Sequence, residues 1–242
     1  MSVRYSHTIQ KLKNLTIPRL LHLRLLFFLS NRFLGHTFFI SKRKVLIKNN
    51  RAIILWTGGK DCNLALYEAH LMGFNVVGLL TFYKNNNIPD LEPLRQQALS
   101  LGIPITVLDV ARYTSRDYVL RLKAIAEDYN AKTVITGTHS AQNATIFWLR
   151  KIIKRAKLNL FCPLWHRNKY KLLTRLLDLK FRIKFIYADH SIFENLTGQE
   201  LKTETINEFV QISQKRKFDI CGENNEYDTL VMDGPDYKNA ID

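Results

Sequence analysis

The chain has 242 residues, 46% hydrophobic and 24% charged, which excludes a disordered or fibrous polypeptide and allows one substantial domain or two small ones. Its formal charge of +15 is uneven: ten of the 36 basic residues lie in residues 1–50, where no acidic residue stands, leaving 26 basic against 21 acidic residues and +5 for the remainder. That body is only mildly basic, so it carries no strong nucleic-acid signal. The three cysteines, Cys62, Cys162 and Cys221, are far apart and form no Cys-x-x-Cys pair. This indicates neither a disulfide framework nor a zinc site and fits a reducing compartment.

Residues 1–50 have the composition of a mitochondrial transit peptide, of a basic membrane-surface segment, or of a poorly ordered extension in front of a cytoplasmic enzyme. Leu20 to Ile40 is apolar, but His22, Arg24, Ser30, Asn31, Arg32 and His36 interrupt it. A spanning helix needs about 20 mostly apolar residues, so no transmembrane anchor is expected. From Arg51 the signals alternate. Strands are predicted at Ala52–Trp56, Asn75–Thr81, Ile105–Val110 and Thr133–Thr136, with helices at Asp61–Met72, Leu91–Leu101, Asp117–Tyr129 and Ser140–Lys157.

Short apolar runs separated by helices of this length predict βαβ units, hence an α/β fold with a Rossmann-like parallel sheet covered on both faces. The pattern breaks at Phe161-Cys162-Pro163-Leu164-Trp165. It resumes with a helix at Lys169–Leu179, a strand at Phe181–Tyr187 and a helix at Glu204–Lys217. The expected division is a basic extension at 1–50, a nucleotide-binding domain at 51–157 and a smaller α/β domain at 158–242.

The most informative stretch closes the first strand, Thr57-Gly58-Gly59-Lys60-Asp61-Cys62. Two glycines between a strand and a helix let the backbone turn sharply and present successive N–H groups to an anion at the helix head. Thr57 adds a hydroxyl, Lys60 a mobile cation for phosphate oxygens, and Asp61 a hard carboxylate suited to Mg²⁺. The spacing fits neither the Walker loop nor the Gly-x-Gly-x-x-Gly of dinucleotide folds. A second cluster lies near the C-terminus, where Glu223, Glu226, Asp228, Asp233 and Thr229 fall within eleven positions. Those acids form either a solvated loop or, given strand-like Tyr227, Leu230, Val231 and Met232, part of an ordered element.

The first loop resembles Ser-Gly-Gly-x-Asp-Ser, the pyrophosphate-binding (PP) loop of the N-type ATP pyrophosphatases. Together with Gly222-Glu223-Asn224-Asn225-Glu226-Tyr227-Asp228-Thr229 and Asp233-Gly234-Pro235, the sequence resembles the diphthine-ammonia ligase family and its bacterial relatives. Pro163-Leu164-Trp165, Leu172-Leu173 and Leu196-Thr197-Gly198-Gln199-Glu200-Leu201 are similar to family features between the two motifs. The likeness covers about Arg51 to Pro235. It implies a Rossmann-like ATP domain and a smaller substrate domain delivering the glutamate motif to the nucleotide. It also implies an AMP- and pyrophosphate-forming carbon–nitrogen ligase using ATP, Mg²⁺ and ammonia. The acceptor is a carboxylate, either diphthine on a translation factor or a small molecule.

On that resemblance Thr57, Gly58, Gly59, Lys60, Asp61, Cys62 and Gly137 bind nucleotide, with Asp61 also a magnesium ligand. Lys60, Asp61, Glu223, Glu226 and Thr229 are the candidate catalytic residues, the two glutamates binding a cationic acceptor, positioning ammonia or accepting its proton. The sequence departs from the family pattern at several points. Cys62 replaces a serine, Thr138 and His139 follow Gly137 where Gly-Asp is expected, His166 and Asn168 stand in a Trp-Gly-Arg-Asp segment, and Asn225 replaces a glycine. His139 and His166 are read as structural or exposed, and Arg167 as a holder of phosphate or carboxylate. Two other functions fit parts of the sequence: a PP-loop enzyme acting on tRNA, and a nucleotide-binding regulator with reduced turnover.

Overall fold

A computed structural model describes residues 50–83, 90–109, 114–140 and 144–241, the side chains of 144 and 145 apart. The basic extension falls outside them except for Asn50. The described elements run β1 (Arg51–Leu55), α1 (Lys60–Leu71), β2 (Asn75–Tyr83), α2 (Glu92–Leu101), β3 (Ile105–Asp109), α3 (Ser115–Asp128) and β4 (Thr133–Ile135). They continue with α4 (Ala144–Arg155), β5 (Asn159–Phe161), α5 (Lys169–Asp178), β6 (Arg182–Ala188), α6 (Thr203–Arg216) and β7 (Tyr227–Asp233).

β1 to β5 form a parallel sheet in the order β3-β2-β1-β4-β5. Side chains alternate across it, as a strand's period of two requires. Ala52 and Ile54 of β1 and Ile135 of β4 face one core, while Ile53, Leu80 and Val134 face the other with Leu122 of α3 and Ile146, Leu149 and Ile153 of α4. Burial on both faces makes the strands almost uniformly apolar. α3 begins at a reciprocal cap, Thr114 Oγ1 accepting from Asp117 N at 3.4 Å while Asp117 Oδ2 accepts from Thr114 N at 2.9 Å.

β6 and β7 form a separate antiparallel pair. Its inward residues, Ile183, Phe185 and Val231, join Phe209 of α6, Leu172, Leu173 and Leu176 of α5, and Leu64, Leu66 and Ala69 of α1 in one continuous core. α1 therefore lies between sheet and antiparallel pair, with eight of its twelve residues buried. The fifth strand, Asn159–Phe161, was not expected: three residues on an edge give no periodic signal, and it lies beyond the domain boundary drawn at 158. Among the described residues no helix is long and apolar enough to cross a membrane.

Strand order reverses between β1 and β4, whose carboxyl ends thus open the crevice where such sheets bind ligands. Thr57–Lys60 leaves one side of that crevice and Thr136–His139 the other.

Candidate functional site

The loop after β1 is shaped by close packing from behind. Gly58 has φ +77°, and a Cβ there would fall 2.5 Å from Leu94 Cδ2 and 2.9 Å from Gln97 Oε1. Its carbonyl accepts from Val231 N at 3.0 Å, Gln97 Nε2 at 2.9 Å and Asn63 Nδ2 at 3.2 Å. The Gly59 carbonyl accepts from Asn63 Nδ2 at 2.9 Å and from the Cys62 thiol at 3.1 Å. With both carbonyls fixed toward the protein, the Gly58 N–H turns to the Cys62 sulfur and the Gly59 N–H has no hydrogen-bond partner among the described residues. An unpaired donor at the head of a twelve-residue helix makes an anion cradle.

Gln97, fully buried, is the joint of this support. It accepts from Trp56 Nε1 at 2.9 Å and donates to Gly58 O and, at 2.8 Å, to Val231 O. Gln97→Leu leaves the Trp56 indole N–H and the Val231 carbonyl short of partners in an apolar setting. We expect a loss of about 2–4 kcal/mol, read by urea unfolding; an unchanged midpoint would dismiss this role.

The far end of the chain is bonded into the same loop. Thr229 Oγ1 accepts from Lys60 N at 3.1 Å. Lys60 itself is 4% exposed, and its ammonium donates to Asp61 Oδ2 at 2.8 Å and to Cys221 O at 2.6 Å, 5.1 Å from the Tyr227 ring centroid. Burial works against the charge, but Asp61, with Tyr227 and Cys221, more than offsets it, so the Lys60 pKa lies above the ordinary lysine value. Lys60, expected from the sequence to be a mobile phosphate-binding cation, is held as a strut by Asp61 Oδ2, the Cys221 carbonyl and the face of Tyr227. Cys62 is likewise inward: burial raises its thiol pKa, and its sulfur serves the loop backbone.

The two glutamates part company. Glu226 is 5% exposed and accepts from Asp219 N and Asn224 N, each at 2.7 Å, and from Asn224 Nδ2 at 3.1 Å. Glu226, expected to be catalytic, is turned inward as a clasp, its two oxygens accepting three bonds from the turn they close. Asp219 extends that turn, accepting from Cys221 N at 2.9 Å and pairing with Lys169. Glu223 faces outward into the crevice, its side chain 16% exposed.

His139, read from the sequence as structural or exposed, is inside the site. Its side chain is fully buried, with Nε2 2.7 Å from Glu223 Oε1. This contact holds the Glu223 carboxyl below its ordinary range. His139 Nδ1 and Asp61 Oδ1 are buried without a partner. Asp61, His139 and Glu223 each bring one ligand atom to within 4.8 Å of the others. The signal that could have found His139 was positional: it follows Gly137 by two at the carboxyl end of the strand beside β1.

At Gly137, expected to bind nucleotide, a Cβ would lie 2.6 Å from both the Asp61 carbonyl carbon and its oxygen. Arg167 holds Glu68 Oε2 at 2.9 Å and is engaged within the protein. His166 is exposed, its ring edge-on to Trp165 at 4.9 Å. Thr57 Oγ1 donates weakly to Cys62 Sγ at 3.7 Å.

Two family models match the chain, the diphthamide synthase N-terminal domain over residues 50–159 and the diphthamide synthase C-terminal domain over residues 168–242. No curated protein matches significantly. Among solved structures, a predicted subunit of tRNA methyltransferase from Methanocaldococcus jannaschii is similar at 16% identity, covering 76% of this chain and 97% of that one with a TM-score of 0.41.

Proposed function

The chain belongs to the diphthamide synthase family through both of its halves, and on that premise we propose that it is an ATP-dependent amide-forming ligase of the diphthine-ammonia ligase type. An oxygen of the acceptor carboxylate attacks the α-phosphorus of ATP, and pyrophosphate departs. Ammonia then attacks the acyl carbon, AMP leaves with the carbon–oxygen bond, and one proton is lost. The acceptor is diphthine on a translation factor or a small carboxylate. The observation that carries this reading is the joining of the two motifs, with Thr229 Oγ1 and Cys221 O both bonded to Lys60 at the head of α1.

Within this scheme the unpaired Gly59 N–H, at the head of α1, binds the pyrophosphate as its charge grows, acting only where charge develops. Lys60 adds a buried positive charge behind the loop. Glu223, ionised beside His139, is the carboxylate open to the crevice, placed to orient ammonia and take its proton. A divalent cation would be held at Asp61 Oδ1, a buried carboxylate oxygen with no partner. Bound there, it supplies neutralisation of phosphate charge. Cys62 is no obstacle to turnover on this reading, because its thiol faces the Gly59 carbonyl.

The test measures AMP and pyrophosphate release with ammonium and candidate carboxylate acceptors. Glu223→Gln is expected to lower amide formation by about 10²- to 10⁴-fold while ATP binding persists. ADP as the product, or wild-type amide formation by the variant, would refute the proposal.

A further inference from the structure

We propose that Asp61, His139 and Glu223 form a site for a divalent transition-metal ion of the zinc class, held by two carboxylate oxygens and one imidazole nitrogen. Three observations carry it. The three ligand atoms lie within 4.8 Å of one another. Metal–ligand bonds of about 2.0–2.2 Å place tetrahedral neighbours roughly 3.3–3.5 Å apart. The 2.7 Å approach of His139 to Glu223 therefore has to open by less than about 1 Å, and the widest separation to close by somewhat more, both within reach of side-chain torsions.

Second, the polar atoms are in the condition a cation would relieve. Buried polar atoms are normally hydrogen-bonded, yet His139 Nδ1, on a residue that is 2% exposed, and Asp61 Oδ1, a carboxylate oxygen closed to solvent, have no partner. An ordinary histidine–glutamate pair would leave Asp61 Oδ1 unexplained. Lys60 holds the other Asp61 oxygen at 2.8 Å and so fixes which oxygen turns toward the cluster. Its charge leaves the carboxylate pair with one net negative charge, which a dication reverses.

Third, the donor set selects the metal. Magnesium demands near-octahedral oxygen coordination and takes imidazole poorly, whereas imidazole suits zinc, cobalt, nickel and iron. Three protein donors are the complement of sites that keep a fourth position open. Side-chain exposure of 28% at Asp61 and 16% at Glu223 leaves that position facing the crevice.

The proposal does not rest on the ATP reading, because its readouts need neither nucleotide nor turnover. The full chain, stripped by chelator, is titrated with cobalt(II) chloride. One equivalent is expected to bind with visible d–d absorption, to be displaced by one equivalent of zinc and to resist excess magnesium. No thiolate charge-transfer band is expected, since the cysteines point elsewhere. His139→Asn and Glu223→Gln are each expected to weaken cobalt binding by at least about 10-fold, and His166→Asn to leave it unchanged. If His139→Asn does not fold, the same titration of Glu223→Gln decides. Absence of saturable binding, a thiolate band, equal displacement by magnesium, or undiminished binding in the folded variants would overturn the proposal.

Discussion

Replacing Gly137 with alanine is expected to destabilise the protein by about 3 kcal/mol and to abolish ATP-dependent pyrophosphate release. The added methyl would sit 2.6 Å from the carbon and oxygen of the Asp61 carbonyl and 2.8 Å from Cys62 N. These are backbone atoms in the first turn of α1, so no rotamer change can yield the space. Either β4 withdraws from the sheet or the helix head shifts, and the second option moves Asp61 and the Gly58–Gly59 donors together. Gly73 sets the contrast, because nothing lies within 4 Å of a Cβ there and only its φ of +87° resists substitution. Thermal and urea unfolding check the first effect and ATP turnover the second. A wild-type midpoint for Gly137→Ala would mean that β4 is not pressed against the loop.

β1 to β4 were legible because they are short apolar runs, β1 and β4 with glycine just beyond, and the helices between them carry their own punctuation. What escaped the sequence is non-local. Gln97 looks like any helical glutamine, yet it ties Gly58 to Val231, 39 and 134 positions away. Glu223 and Glu226 stand three residues apart in one motif, and only the fold sends one to the crevice and the other into a turn. Lys60 had a phosphate-binding neighbourhood in sequence and an internal one in space.

The departures from the family pattern have a simpler explanation than a changed pocket. His166 and Asn225 stand where glycine is expected, and both have left-handed backbone, φ +56° and +66°. Histidine and asparagine are among the side chains that tolerate that region. Asn168 replaces an aspartate but still caps α5, accepting from Lys171 N at 3.0 Å. In each case the residue changed and the backbone requirement did not. His139 has no such backbone explanation, which is why its burial beside Asp61 and Glu223 points to chemistry.

The glutamates of the C-terminal motif are separable by stability. Glu226→Gln is expected to cost about 3 kcal/mol, a fall in Tm of about 6–12 °C for a chain of this size. A carboxylate only accepts, and Glu226 uses Oε1 for Asp219 N and Oε2 for Asn224 N. Glutamine must turn its NH₂ toward one of those backbone N–H groups, losing a charge-assisted bond and leaving a buried donor unpaired. The damage travels, because the turn that Glu226 closes positions the Cys221 carbonyl that holds Lys60 at 2.6 Å. Glu223→Gln changes a side chain at the crevice and is expected to shift Tm by no more than about 2 °C. Differential scanning calorimetry of the two variants beside their amide-forming rates separates the roles. A Glu226→Gln protein with wild-type Tm and no amide formation would return Glu226 to the chemistry; lost stability with Glu223→Gln alone inactive at full stability assigns the chemistry to Glu223.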